Sequence, residues 1–369
     1  MLSTRIIHLV AAGLFLLPIL GHSASKIAPV PSDPLELATG DVQSADTPTS
    51  RQAALDLLGR AQENYALRAA GRSYDLKSTF SVNSGGETEY DGAWQMEDTF
   101  DPQQGLHWTA TATGGYTITE ISAHGNLYAD GTLDHIPLRL HEARAALFAA
   151  IPPAAALKRA VIRTSTAVFQ GAQVTCILVS PPKHASVATP GRSWEETEDC
   201  IDQQSGLLKL HSQVPGRYYA YDYSNALQFA GHTFPGKVVV TEGGKTVSDI
   251  SIERLEPLFM VDPSLFTPTA EMNRRGRAIA MAGAQKIWRV VQNPSAPVGA
   301  AAHAVCVFGL ITPSGQLVEA HSLQPSDPYS QAAIEEAKAM TFSRPSMPGQ
   351  LGTLPRQHFV FIIEKFVSP

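Results

Sequence analysis

The sequence predicts an α+β fold: a curved antiparallel sheet with helices over residues 51–270, then a small ββαβ unit over 302–369. Three observations predict it. Stretches between Tyr74 and Leu255 alternate apolar and polar residues with the period of a half-buried strand. Glycine turns such as Gly85-Gly86 separate them, as in a meander of short strands. Helical periodicity is confined to a few segments that flank or interrupt the strands.

The N-terminus reads as an export signal. Arg5 precedes an apolar run, Ile6 to Leu20, and small residues follow at Gly21, Ser23, Ala24 and Ser25. The run has 15 residues, short of the about 20 a membrane helix needs. Residues 1–25 are therefore expected to be a signal peptide and the mature protein periplasmic, inner-membrane-anchored only if the segment is retained. Residues 26–50 form a linker holding Pro29, Pro31, Pro34 and Pro48.

A helix is expected next. Thr49 and Gln52 have capping-box spacing, Ala54, Leu57, Leu58, Ala61 and Tyr65 share one face, and Gly71 ends it. Tyr74, Leu76, Ser78, Phe80 and Val82 then alternate with Asp75, Lys77, Thr79 and Ser81. Trp94, Met96 and Phe100 alternate likewise, as do Leu106, Trp108, Ala110 and Ala112. Leu140, Ala143, Leu147 and Ile151 line a second helix stopped by Pro152-Pro153, and a shorter one is expected over 154–159. Strands resume from Val161 to Leu255, with Tyr219, Tyr221 and Tyr223 on one face.

Residues 271–301 read as a basic, helix-capable segment (Arg274 to Val291) and a linker with Pro294 and Pro297. Arg274-Arg275-Gly276-Arg277 reads as a solvated junction. The last unit comprises strand His303–Ile311, the turn Thr312-Pro313-Ser314-Gly315 and strand Gln316–Leu323. A helix follows, N-capped by Asp327 with Pro328 at its first position, and then strand His358–Phe366.

The composition excludes some functions. Net charge is -6, with 44% hydrophobic and 17% charged residues. That is neither a disordered chain nor a nucleic-acid binder. Gly243-Gly244-Lys245-Thr246 ends like a phosphate loop, but position 239 is Val where the pattern needs Gly, so it reads as a hairpin turn. The chain has no HExxH and no GxSxG, and its histidines show no metal-ligand spacing. No enzyme activity, cofactor or metal is expected. The acidic run Glu195-Glu196-Thr197-Glu198-Asp199 reads as a solvated rim. Cys176 and Cys200 lie in adjacent strand-like segments; they either pair in an oxidising compartment or stay as buried thiols, and Cys306 reads as core.

Two resemblances add expectations. The amphipathic strands and helices of residues 51–270 resemble the half-barrel of periplasmic lipoprotein carriers, in which a curved sheet holds acyl chains under a helical lid. That likeness implies an apolar cavity lined by Trp94, Trp108, Tyr219 and Tyr221 and a lipid or other hydrophobic ligand. The stretch Gly309-Leu310-Ile311-Thr312-Pro313-Ser314-Gly315-Gln316-Leu317-Val318, with Ala332-Ala333-Ile334-Glu335-Glu336-Ala337, Phe342, Pro345, Gly349 and Val360–Phe366, resembles the C-terminal domain of TonB-family energy transducers. It covers about 70 of 369 residues. The resemblance implies a module that binds partner peptides by strand addition, in energy-coupled outer-membrane transport. Its docking edge would be the last strand: Gln357, His358, Phe359, Val360, Phe361, Ile362 and Ile363. Expected partners are envelope proteins, outer-membrane receptors among them, with membrane contact only through a retained N-terminal segment. A structural scaffold without a transport role is the remaining reading.

Overall fold

The computed structural model describes residues 41–65, 67–83, 90–132, 136–148, 151, 157–182, 191–277, 282–292, 303–312, 314–340, 342 and 358–367. The expected signal segment, most of the linker and the short helix expected before Arg159 lie largely outside these residues.

The chain is α+β, with a 13-stranded antiparallel sheet and a four-stranded mixed sheet. The large sheet opens with β1 (Gln43–Ser44). Its left part is β7 (Val161–Phe169), β8 (Ala172–Ser180), β9 (Thr197–Asp202), β10 (Leu208–Val214) and β11 (Arg217–Asp222). Its right part is β14 (Lys237–Glu242), β15 (Lys245–Pro257), β2 (Tyr74–Val82), β3 (Gly92–Asp101), β4 (Gly105–Ala112), β5 (Thr117–Ala123) and β6 (Asn126–Gly131). They pair in the order just given. The join of the two halves is β11–β14–β15–β2, so chain-distant segments meet in mid-sheet.

One face of this sheet is covered from within the chain. Helices α1 (Pro48–Tyr65) and α2 (Leu138–Phe148) lie on it. So does a small hairpin, β12 (Leu227–Phe229) with β13 (His232–Phe234). α1 is apolar at Ala54, Leu57, Leu58, Ala61 and Tyr65, and these are its buried residues. Its cap is Thr47, whose Oγ1 accepts from Ser50 N at 3.1 Å, two residues before the expected cap Thr49. The covered face holds one cluster that includes Tyr74, Phe80, Trp94, Trp108, Tyr219, Tyr221, Val238, Val240 and Ile250. Burial of each large side chain there is worth about 1.5–3 kcal/mol. The opposite face carries a smaller cluster around Phe169, Val174, Cys176, Cys200, Leu210 and Tyr218.

At Gly105 φ is +123°, and a Cβ there would sit 1.9 Å from the Ser122 carbonyl oxygen. The β4–β5 approach therefore requires glycine. At Gly243-Gly244, φ values of 54° and 77° close the β14–β15 hairpin, so this segment is a turn.

The C-terminal sheet has the order β16 (Ala282–Gln292), β19 (His358–Val367), β17 (His303–Ile311), β18 (Leu317–Ser322). Two expectations are corrected here. Among the described residues, the helix-capable stretch from Arg274 is helical only to Arg275, the end of α3 (Ala270–Arg275); Ala282–Gln292 is a strand parallel to β19. Its Ile287, Trp288, Val290 and Val291 favour an extended backbone, and pairing with β19 settles it. The helix α4 spans Ser330–Lys338, with Tyr329 rather than Asp327 at its N-cap. Asp327 instead accepts from the Tyr329 amide at 2.8 Å. Ala333 and Ala337 of α4 pack on β17, β18 and β19.

Candidate functional site

The inner face of the large sheet and the helix that closes it form the candidate site. Strand parity puts Tyr219 and Tyr221 opposite Val240 and Val238, and Trp94 opposite Ala112. Trp94, Trp108, Tyr219 and Tyr221 thus share one face, as their alternation predicts, and all four are 3% exposed or less. They pack against α1 and α2. Tyr65 of α1 meets Tyr221 edge-on at 5.5 Å and stacks on Phe234 at 5.7 Å. Burial pushes the Tyr219 and Tyr221 phenols up, so both stay neutral.

α2 lies on this face through Leu140, Ala143, Ala146 and Leu147. The Tyr221 hydroxyl donates to the Ala146 carbonyl at 3.2 Å. Its firmest attachments are ionic. Arg139 makes a bidentate pair with Glu242 (2.6 and 2.8 Å) and a 2.8 Å contact with Glu142. Arg217 Nε donates to Glu142 at 3.0 Å and lies 3.2 Å from Glu242. Arg144 pairs with Glu120 and lies 4.2 Å over the Trp108 ring. Beside the helix, Arg68 pairs with Asp98 at 3.1 Å and covers Phe148 at 4.4 Å. Burial alone would raise the Glu242 carboxyl, but Arg139 and Arg217 outweigh it and hold it at about 2.

This ionic cluster is also where the C-terminal sheet docks. The Arg217 guanidinium lies 4.0 Å from the Phe308 ring centre and 4.9 Å from that of Tyr219. Glu319 of β18 accepts from the Leu138 amide at 2.9 Å, placing a carboxylate at the first amide of α2. Leu138, Trp194 and Val214 form one cluster with Ala304, Cys306, Phe308, Leu310, Leu323 and Ile363. The contact is close: a Cβ on Gly243 would meet Pro325 Cδ at 2.5 Å. Lys286 donates to the carbonyls of Trp194 (3.3 Å) and Glu195 (2.9 Å), and burial lowers its amine to about 7. A cleft of about 730 Å³ opens beside the cluster, lined by Arg139, Glu242, Lys245, His321 and Gln331 among others.

The structure places the other expected residues as follows. Cys176 and Cys200 are directly opposed on β8 and β9 and joined by a disulfide, on the face away from α2. Gln357 lies outside the described residues. His358 to Ile363 belong to β19, which pairs with β16 on one side and β17 on the other. That strand is internal, so its backbone groups are already used; the edges of this sheet are β16 and β18. The acidic run is a correction. Glu196, Glu198 and Asp199 are buried rather than solvated, paired with Arg163, Arg192 and His211. Arg274 is exposed and paired with Glu271 within α3.

Sequence reading missed the ionic cluster. Arg139, Glu142, Arg217 and Glu242 come from three segments, and no local pattern marks them. The one sequence signal is a charged pair at i,i+3 inside an apolar helix stripe.

Glu364 is a further buried acid. It is 0% exposed, neither oxygen has a hydrogen-bond partner, and its nearest cation is Arg289 at 3.7 Å. Burial pushes it up to about 7; Arg289 pulls it down and Glu336 pushes it up further. The folded state holds the proton until about pH 7, whereas the unfolded chain releases it near 4.5. Its contribution is therefore fully present below 4.5 and lost as pH rises through 7. Relative to Glu364→Gln, the wild type is expected to lose about 1–2 kcal/mol across that window, Arg289 and Glu336 being partly screened by solvent. Denaturant midpoints against pH check it; parallel curves for the two proteins would refute it.

No family model matches the sequence, and no curated protein matches it either. Solved structures do. A LolA superfamily protein from Nitrosomonas europaea matches with a TM-score of 0.36 at 10% identity, over 58% of this chain and 97% of that one. A protein from Vibrio parahaemolyticus described as an outer membrane lipoprotein-sorting protein domain gives 0.35 at 8%, over 58% and 97%. MucB gives 0.29 at 13%, over 60% and 64%. These are distant likenesses of fold outline. No described helix is long and apolar enough to cross a membrane.

Proposed function

We propose that this chain is a non-catalytic envelope binding protein of carrier type. The inner face of the large sheet holds a hydrophobic ligand, and α2 is its lid. One observation supports this above the others. Besides the apolar packing of Leu140, Ala143, Ala146 and Leu147, α2 is fastened to the sheet by ion pairs at Arg139, Glu142 and Arg144. These charges are grouped near its N-terminal half, and Glu319 of the C-terminal sheet caps its first amide. The C-terminal unit is then a latch on the lid. Releasing α2 would uncover the part of the inner face beneath it, Trp108 under Arg144 and Tyr221 beside Ala146 among it. Residence outside the cytoplasm belongs to the same proposal, supported by the Ile6–Leu20 run and the Cys176–Cys200 bridge.

The TonB-like coupling reading fits this geometry less well. With β19 paired on both sides, a peptide can add only to β16 or β18 while the sheet is intact.

The test uses the inner-face tryptophans as reporters. A brominated long-chain fatty acid is expected to quench the fluorescence of Trp94 and Trp108, and Trp94→Phe/Trp108→Phe to lose most of that quenching. Lipid extracted from the protein as purified from cells should appear by mass spectrometry. Absence of both quenching and bound lipid would sink the carrier reading.

A further inference from the structure

We infer that the loop after β15 is a membrane-contact finger that inserts Phe259 and Met260 into the interfacial layer of a zwitterionic bilayer. Phe259 is 96% exposed and Met260 92%. Scattered single apolar residues on a surface are ordinary. Two adjacent large ones, both almost wholly in water, are not, because each forgoes the stabilisation of burial.

The finger is built rather than loose. β15 ends at Pro257, paired with Tyr74, and the Leu258 amide donates to the Ser73 carbonyl at 3.0 Å. On the far side Asp262 caps a 3₁₀ turn, Pro263–Phe266, accepting from the Ser264 amide at 2.9 Å. Phe266 is buried with Ile121, Ala123 and Met272. Both ends are thus anchored to the sheet and the tip side chains are held outward. A tip of two side chains is too small to bury the roughly 800 Å² per partner of a stable protein interface. A bilayer wraps around such a protrusion, and an aromatic ring and a thioether suit its interfacial layer.

Charge selects the kind of bilayer. Arg72 precedes Ser73 and is exposed; Glu256 and Asp262 flank the tip and are exposed too. Glu256 is paired with Arg254 at 3.8 Å, and Arg254 also with Asp75, so the groups beside the tip carry no net positive charge to attract it to an acidic surface. Insertion is then driven by apolar burial, into phosphatidylethanolamine-rich or phosphatidylcholine membranes, with little dependence on salt. This inference does not depend on what the inner face holds.

Co-flotation of the full chain with phosphatidylethanolamine/phosphatidylcholine vesicles tests it. Phe259→Ser/Met260→Ser is expected to lower partitioning about tenfold or more. Val168→Ser, at a site 59% exposed on β7, should leave it unchanged. Because a retained N-terminal segment would itself bind vesicles, a second readout is local to the finger. Vesicles should slow Met260 sulfoxide formation by dilute peroxide severalfold, read by peptide mass spectrometry. Equal flotation of wild type and double variant together with an unprotected Met260 overturns the proposal. So does lipid-free self-association that the double variant abolishes, which would make a second copy the occupant.

Discussion

Arg217→Ala is expected to destabilise the folded chain by about 3–5 kcal/mol, because it leaves buried carboxylates short of a cation. Arg217 is 1% exposed and contacts Glu142, Glu242, Tyr219 and Phe308. Glu142 is 0% exposed and Glu242 4%. With Arg217 gone, Arg139 is the arginine left facing the buried Glu142 and Glu242. The loss should also loosen the C-terminal sheet, since the guanidinium is the surface on which Phe308 lies. Replacing Arg217 and Glu142 together by Met removes a charge of each sign, and the expected cost is much smaller than for the alanine variant. A double-mutant cycle in denaturant therefore reads the pair directly. A cost below about 1 kcal/mol for Arg217→Ala would mean that water reaches the cluster and the latch is not dry. Acid should weaken the same latch: Glu242 falls to about 2 in the fold from 4.5, so its contribution is present above 4.5 and lost as pH drops towards 2.

How much of this was legible in the sequence follows from how local each signal is. The strand Tyr74–Val82 has its own period-two pattern, and the structure buries the face that pattern predicts. The aromatic side chains of the inner face are legible for the same reason. β5 and β6 are less so: Thr117–Ala123 mixes threonine, glutamate and serine with its isoleucines, and Asn126–Gly131 is only half-buried throughout. The order of the C-terminal sheet was not legible. A sequence can show that His358–Val367 is a strand; whether it lies at an edge depends on β16, which joins from a segment whose composition also suits a helix. The acidic run fails on similar grounds. Glu196 is buried because Arg163, far away in the chain, reaches it. Desolvated charges obey pairings that no window of sequence contains.

The latch also explains why a small sheet unit rides on a large one. The helix α2 has only 11 residues, with Leu138, Leu140 and Leu147 buried beside Ala143 and Ala146. An isolated helix of that length is marginal in water. Its position therefore depends on groups outside it. Arg217 and Glu242 belong to the sheet, while Phe308 and Glu319 belong to the C-terminal unit. In the carrier proposed above, a partner or proton that binds the C-terminal unit more tightly with α2 closed than open would shift α2 towards closure by that difference.

Reducing the Cys176–Cys200 bridge is expected to lower stability by about 2–4 kcal/mol, with the fold retained under mild conditions. The two residues are 24 apart in sequence and directly opposed on β8 and β9, so strand pairing already holds them together in the native state. The effect acts on the unfolded chain, which gains the freedom of an open loop. Cys306 supplies an internal control. It is 0% exposed and burial pushes its thiol up, so it should stay inert to alkylation while the protein is folded. Mass spectrometry after alkylation should count no labels on the native protein, one after denaturation, and three after denaturation with reductant. Three labels without reductant, on protein recovered from cells, would mean that the bridge does not form in the compartment where the chain folds. That result would remove the cysteine support for an oxidising location, and the case for export would then rest on the Ile6–Leu20 run alone.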